Sequence, residues 1–455
     1  MKSTEFSGSK VLILGFGKEG MATFEFLREK YRDMRIGIAD KKLLKDHSKA
    51  AQLLLQEQNV ELYFGDEHLR HFEEYDIVIK SPGITRRIPE IEKAIQNGIQ
   101  FTSATNIFFS EAKGEIIGVT GSKGKSTTAT LIFRILKKAG KNVELVGNVG
   151  KPALEFLKTD SENKIYIFEL SSYQLEDLEI PPKIGVITSF FPEHLDYHGS
   201  EEAYFAAKMG ICANMKSDDI LVYNAKFEKI RKFVEKLSCR VLPTNDGKSS
   251  LIQDGNLIHN SENILRISDV RILGTHNLEN ILLCIAVAKL FDVENSVIQA
   301  AVKEFKGLEH RLEFIGEFRK IRFFDDAIST TPESAIAAIS AFGNDLGTLI
   351  LGGYDRGLKF SELTKEILAR KVPNVILMPD TGKRIADEIK NSVRDFSPNI
   401  TWSDTLSDAV QKAYEVTPSG KVCVLSPASP SYNQFKNFEE KGRMFREDVV
   451  RFGAN

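Results

Sequence analysis

Cysteine is scarce in this chain. Cys212, Cys239, Cys284 and Cys423 stand far apart in 455 residues, with no C-x-x-C pair among them. That spacing offers neither a disulfide framework nor a zinc site and suits a reducing compartment. No apolar run reaches the length a membrane-spanning helix needs. The N-terminal MKSTEFSGSK lacks the apolar core of a secretory signal. A basic surplus is also missing: 61 Lys and Arg against 63 Asp and Glu leave a formal net charge of -2, which argues against a nucleic-acid footprint. Internal repeats and low-complexity segments are absent too. The expectation is a soluble cytoplasmic protein with neither a membrane nor a nucleic acid as partner. What is present is an ordinary globular composition, 42% hydrophobic and 27% charged. The chain is too long for a single hydrophobic core, so two or three domains are expected.

Short apolar runs alternate with amphipathic helical patterns, which predicts an α/β fold with parallel sheets. Three series separate, with boundaries near residues 104 and 308. The first opens with Val11–Leu14, passes through a strand ending at Asp40, and includes Asp76–Ile79 before Lys80-Ser-Pro-Gly83. The second runs from Ile116–Val119 through Ile165–Phe168 and Ile184–Ile187 to a small hairpin at Leu251–Ile258. Two helices, near Asn277–Phe291 and Val293–Phe305, close it. The third carries strands at Ile321–Phe324, Thr348–Leu351, Val375–Met378 and Val422–Leu425.

The strongest signal is Gly118-Val-Thr-Gly-Ser-Lys-Gly-Lys-Ser-Thr127, placed between a strand and a helix. Backbone N–H groups in such a loop, and at the helix start behind it, point at phosphate oxygens. Lys125 brings a positive charge to the outer phosphates, and the Ser126 hydroxyl suits Mg²⁺. The generic spacing G-x-x-x-x-G-K-[ST] fails at Val119, so the loop is a variant.

Other motifs are less specific. Gly15-Phe-Gly-Lys-Glu-Gly20 matches G-x-G-x-x-G after a strand, with Asp40 twenty residues past its last glycine. It reads as a nucleotide diphosphate site, and serves an NAD-dependent oxidoreductase as readily as any other nucleotide binder. Asn148 follows a strand and fits a ligand crevice or a turn equally. Glu169 ends a strand beside the glycine loop, where a carboxylate either holds a metal or starts a helix. His194 shares a strand-end loop with Glu193 and Asp196. Lys208, in a helix with small neighbours, reads by itself as a solvated lysine. His310-Arg311 and Asp325-Asp326 fit phosphate recognition or a surface ion pair. Ser426–Ser431 offers hydroxyls and N–H groups to an anion.

Taken in order, the strings GVTGSKGKST, GNVG, ELSSYQLE, FPEHLDYHG, YFAAK, GTHNLEN, HRLE, LGGYDRG and SPASPSYNQFKNFEEKG resemble the Mur ligases, ATP-dependent amide ligases of peptidoglycan precursor synthesis. The match runs nearly end to end, and the last string, with ELSSYQLE and Ser81-Pro-Gly83, favours the glutamate-adding branch. The resemblance implies three domains: a Rossmann-like UDP-binding domain (1–104), a central P-loop ATPase-like domain (105–307) and a C-terminal Rossmann-like domain for glutamate (308–455). It implies that UDP-N-acetylmuramoyl-L-alanine, glutamate and ATP are the substrates and that the enzyme is a monomer. The UDP-sugar would meet Gly15, Phe16, Gly17, Lys18, Glu19, Gly20, Asp40, Ser81, Pro82, Gly83 and Asn148. ATP would meet Gly121, Ser122, Lys123, Gly124, Lys125, Ser126, Thr127, Asn277, Asn280, Arg311 and Asp326. Two Mg²⁺ ions would be held by Ser126, Glu169, His194 and an N-carboxylated Lys208. Lys125, His194 and Lys208 would carry the catalysis. Thr330, Arg356, Ser431 and Phe438 would surround glutamate.

One segment departs from the family. Where the family commonly reads N-D-S-K-A-T, this chain reads Asp325-Asp326-Ala327-Ile328-Ser329-Thr330. The family's lysine near the amino-acid end is thus Ile328, and its serine is Ala327. D-glutamate remains the default acceptor; a remodelled pocket makes an L-glutamate-adding variant the alternative. Two rivals, an oxidoreductase built on Gly15–Gly20 and a folylpolyglutamate-type ligase, leave the P-loop and the first domain, respectively, without a task.

Overall fold

The computed structural model describes residues 6–47, 58–147, 151–392, 395–432 and 434–454. The chain folds into two compact units. One comprises residues 1–269 and 275–303, the other residues 270–274 and 304–455.

The first unit contains two parallel sheets. In the first, the strand order is Val60–Phe64, Ile36–Asp40, Val11–Leu14, Ile77–Lys80, Gln100–Thr102. In the second it is Arg240–Thr244, Ile220–Asn224, Ile184–Ile187, Glu115–Thr120, Ile165–Glu169, Val143–Gly147. Their central strands read as continuous apolar runs because helices cover both faces. The helix Ala104–Glu111 joins the two sheets through one core. Its Phe108 ring lies 5.0 Å from that of Tyr166 and 5.5 Å from that of Phe168, and Ile13 and Ile79 of the first sheet belong to the same cluster.

Residues 251–258 form the expected hairpin, extended by a third strand. Ser250–Gln253, Asn256–His259 and Glu262–Arg266 make a small antiparallel sheet. The second unit holds a six-stranded sheet in the order Glu313–Phe318, Ile321–Asp325, Val422–Leu425, Leu346–Leu351, Asn374–Leu377, Asn399–Trp402. Its edge strand Glu313–Phe318 runs antiparallel to its neighbour, an exception to the all-parallel expectation. It follows from the short connection Arg319-Lys320, two residues in left-handed conformation. A turn that short can only return the chain antiparallel.

Among the described residues, no helix is long and apolar enough to cross a membrane.

Candidate active site

Parallel strands deliver their chemistry at their C-terminal ends. In the second sheet the ends of Glu115–Thr120 and Ile165–Glu169 are neighbours, with Val119 opposite Glu169 in the register. Val119, the residue that breaks the generic loop spacing, lies inside the strand and is fully buried. The loop therefore begins only at Gly121. A Cβ there would lie 2.0 Å from the Thr188 hydroxyl oxygen, on a backbone with φ of 149°, so only glycine fits.

The helix Lys125–Lys138 starts directly behind the loop. Lys125 Nζ donates to the Gly121 carbonyl at 2.9 Å and to that of Ser122 at 3.1 Å. Ser122 is locked by Phe191 N–H, which donates to its Oγ at 2.9 Å, and its Oγ lies 3.0 Å from the Tyr204 hydroxyl. Ser126 is half-buried at the second helical position and Thr127 is buried. Asn280, buried on the helix Thr275–Leu290, lies against Gly124 and donates to Asn277 Oδ1 at 3.3 Å. Lys123 is exposed and pairs with Glu193 at 2.6 Å.

Lys208 corrects the reading of a solvated lysine. It is 1% exposed, its Nζ donates to the Gly121 carbonyl at 2.9 Å, and it sits 4.7 Å from the centre of the Tyr204 ring. Burial, reinforced by the charge of Lys125, pushes its ammonium down to about 6, which favours the neutral amine. His194 is exposed and left-handed, with φ of 54°, and starts the short helix Leu195–His198. Its ring lies 6.1 Å from that of Tyr204. Glu169 is 4% exposed at its strand end. The Glu169 carboxylate at one strand end and the Ser126 hydroxyl at the helix start behind the neighbouring strand are oxygen ligands of the kind a hard cation such as Mg²⁺ takes.

In the first sheet, Gly20 packs so closely that a Cβ would lie 2.2 Å from the Gly15 carbonyl oxygen. This is the close approach the G-x-G-x-x-G pattern requires. Gly17 caps the helix Lys18–Lys30. Asp40 accepts from Phe16 N–H at 2.6 Å and from Lys42 N–H at 2.8 Å, so its carboxylate shapes the loop. Glu19, in the first turn, is raised by burial. Ser81 Oγ donates to the Gly15 carbonyl at 3.0 Å, which brings the Ser81-Pro82-Gly83 loop onto the same strand ends. Asn148 lies outside the described residues.

The second unit gathers its residues at the ends of three adjacent strands. Asp326, 3% exposed, accepts from Leu312 N–H, Ser329 Oγ and Ser426 Oγ at 3.1, 2.5 and 2.7 Å. Burial raises it to about 6. Arg311, next to Leu312, is exposed. Two loops are laced together by Gly352 N–H to Pro427 O at 2.9 Å and Tyr354 N–H to Pro430 O at 2.7 Å. This places Arg356, stacked 5.3 Å over Tyr432, beside the segment that carries Ser431. Ser431 is 2% exposed, and its Oγ has no hydrogen-bond partner among the described residues. Phe438 opens the helix Phe438–Gly453, with its ring 6.1 Å from that of His310. Thr330 and Ile328 are half-buried in the turn after Asp326.

Three family models match in sequence: the Mur ligase MurD-like N-terminal domain over residues 9–103, the Mur ligase middle domain over 119–288, and the Mur ligase glutamate ligase domain over 310–429. The chain belongs to the Mur ligase family. It is 36% identical over 449 residues to a UDP-N-acetylmuramoylalanine–D-glutamate ligase of Streptococcus agalactiae, covering 97% of both chains. It is 34% identical to one of Streptococcus pneumoniae, covering 98% of both. The three-domain Mur ligase fold is also that of a UDP-N-acetylmuramate–alanine ligase from Thermotoga maritima (TM-score 0.56, 18% identity, 98% and 99% covered). A MurF ligase of the same organism in complex with ADP gives a TM-score of 0.59 at 16% identity, with 99% and 98% covered.

The sequence of this Mur ligase carries no sign of Tyr204 as a site residue, whose hydroxyl meets Ser122 and whose ring meets Lys208.

Proposed function

We infer that this Mur ligase joins D-glutamate to UDP-N-acetylmuramoyl-L-alanine at the expense of ATP, in peptidoglycan precursor synthesis. The observation that carries the reading is near end-to-end similarity to ligases of that name. The P-loop geometry and the arrangement of Lys125, Glu169 and Lys208 support it.

A carboxylate is a poor acyl donor because its leaving group is bad and its charge repels nucleophiles. Phosphorylation removes both obstacles. The alanyl carboxylate attacks the γ-phosphorus of ATP, ADP leaves, and an acyl phosphate results. Positioning and charge neutralisation dominate such a transfer. Loop N–H groups at the start of the helix Lys125–Lys138 hold the phosphates, and Lys125 neutralises charge as it moves toward ADP. The deprotonated glutamate amine then attacks the acyl carbon, and phosphate departs from the tetrahedral adduct.

Ser126 and Glu169 are assigned to one Mg²⁺; His194 and Lys208 are assigned to a second. Bound there, the ions supply charge neutralisation at the transferring phosphoryl group. Lys208 suits its task as a buried neutral amine: addition of CO₂ with loss of one proton turns it into an anionic carbamate. Arg311 and Asp326 are assigned to ATP's phosphates and ribose. Gly15–Gly20, Asp40 and Ser81–Gly83 are assigned to the UDP-sugar. Thr330, Arg356, Ser431 and Phe438 are assigned to glutamate, with Arg356 as a cation for its side-chain carboxylate. The buried Ser431 hydroxyl, without a hydrogen-bond partner among the described residues, fits donation to a carboxylate. The enzyme is placed in the cytoplasm as a monomer, with residues 1–104, 105–307 and 308–455 as its domains.

The test is ADP release with UDP-N-acetylmuramoyl-L-alanine and each enantiomer of glutamate. Turnover with D-glutamate is expected. Turnover with L-glutamate alone would replace the acceptor, and no turnover with either would sink the reading.

A further inference from the structure

The Ser81-Pro82-Gly83 loop is tied to its own sheet, by Ser81 N–H to Leu14 O at 2.8 Å and Ser81 Oγ to Gly15 O at 3.0 Å, and also to residues beyond that sheet. Lys80, 1% exposed, ends the strand Ile77–Lys80. An ammonium has three protons to donate, and three acceptors surround this one. They are Ile84 O at 2.7 Å, Ser81 O at 3.4 Å and Asp177 Oδ2 at 2.8 Å. The Asp177 side chain is 2% exposed, and its other oxygen lies 2.6 Å from Arg86 Nε. Asp177 is itself anchored: its carbonyl accepts from Asn106 Nδ2 at 2.7 Å, on the helix Ala104–Glu111. The loop has a second tether. Tyr197, three residues after His194, donates its hydroxyl to Pro82 O at 3.1 Å. Arg87 closes the circuit by donating to Tyr197 O at 2.7 Å and Glu176 Oε1 at 2.6 Å.

Adhesion between the two sheets does not need this arrangement. The aromatic packing of Phe108 on Tyr166 and Phe168 already supplies it. A dry ion pair pays a desolvation cost that an apolar pair of the same volume avoids, and its best-attested use is to fix register. Here the register matters chemically. Resting on the proposed ligase reading, the sugar nucleotide is gripped at its diphosphate end by the first sheet, while its far carboxylate must reach a phosphoryl group on the second. Misplacement by about 1 Å is enough to cost about 100-fold in such a reaction.

We propose that Lys80, through its ion pair with Asp177 and assisted by Tyr197, is a positioning residue that sets the sugar-nucleotide loop in register with the P-loop, so that the acceptor carboxylate meets the γ-phosphate.

The variant Lys80→Met keeps the side-chain length and leaves Asp177 paired with Arg86. Its kcat/KM for UDP-N-acetylmuramoyl-L-alanine should fall at least about tenfold. Its KM for ATP and its Kd for UDP alone, which need no register between sheets, should stay within about twofold. Lys80→Arg should recover part of the loss. The double variant Lys80→Met/Asp177→Leu covers the case of poor folding: it should unfold at or above the wild-type temperature yet keep the kinetic defect. The role is overturned if Lys80→Met has wild-type kcat/KM, if UDP affinity falls by the same factor as kcat/KM, or if the double variant restores activity together with stability. Wild-type chain that releases no ADP with glutamate would overturn the ligase reading, and this role with it. An active wild type with an unaffected Lys80→Met would overturn the positioning role alone.

Discussion

Lys125 and Lys208 donate to one acceptor: the Nζ atom of each lies 2.9 Å from the Gly121 carbonyl oxygen. Two ammonium ions converging on a single carbonyl in a dry site repel each other. Burial, with the charge of Lys125 beside it, pushes the ammonium of the more buried partner, Lys208, down to about 6, which favours loss of its proton. A cation beside an amine that burial deprives of its proton fits the carbamate proposed at Lys208.

Lys208→Ala is therefore expected to lose at least about 100-fold in kcat, the scale on which displaced charge at a phosphoryl-transfer site is felt. Wild-type protein in ¹³C-labelled bicarbonate should give a carbamate carbon resonance that the variant lacks. A Lys208→Ala enzyme as fast as wild type would refute the assignment.

The two lysines of the P-loop should differ sharply. Lys125 turns inward onto the loop carbonyls, whereas Lys123 is exposed and pairs with Glu193 at 2.6 Å. Exposed pairs contribute little. Lys125→Ala should reduce ADP release by about 1000-fold or more, and Lys123→Ala by no more than about threefold. Equal losses would place Lys123 in the phosphate site as well.

Gly442→Ala, a change that normally favours a helix by about 1 kcal/mol, should be destabilising here. The new methyl would lie 2.1 Å from His310 Nδ1 and 2.5 Å from Asp325 Oδ2. It would push apart a buried pair whose hydrogen bond is 2.6 Å long and holds the His310 imidazolium pKa above its usual value. Overpacking of this kind costs about 1–3 kcal/mol, readable by urea unfolding. A stabilised variant would contradict the packing around His310.

Lys441 gives the second unit a pH-dependent stability. It is 1% exposed, donates to Gly352 O at 2.9 Å, and is lowered to about 7 by burial, against the pull of Asp325. In the unfolded chain its pKa is about 10.4. Below pH 7 both states carry the proton and the penalty is full. Between about 7 and 10.4 only the unfolded chain does, so stability rises with pH across that window. Lys441→Met should be more stable than wild type near pH 7 by up to a few kcal/mol, less about 1 kcal/mol for the lost hydrogen bond. That advantage should shrink as the pH approaches 10. Thermal unfolding at pH 7 and pH 9.5 measures both. A constant difference would mean that Lys441 stays charged in the fold.

Much of the site was legible because its parts are local. A strand, a glycine-rich turn and a helix start are contiguous in sequence, so Gly121–Thr127 and Gly15–Gly20 declared their geometry. Even the irregular Val119 became intelligible: the strand extends one residue past it, and the cradle begins at Gly121. Lys208 misled because, although Tyr204 stands one turn back on the same helix, nothing near it in sequence reports that Gly121, 87 residues away, meets its ammonium. Asp177 carries no mark in the sequence, because its partner Lys80 comes from the other sheet. The antiparallel edge strand Glu313–Phe318 escaped notice because its two-residue turn, Arg319-Lys320, lacks the glycine or asparagine that usually marks one.

By itself, then, the sequence determined the order of the elements, the phosphate-binding turns and the family, since each rests on residues a few positions apart whose backbone geometry is fixed by local sterics. Only the tertiary structure decided which of the many lysines are stripped of water and what they face. Desolvation and charge pairing are sums over everything that packs around a group, and Lys208 meets Gly121, and Lys80 meets Asp177, only after the sheets have formed and closed on one another.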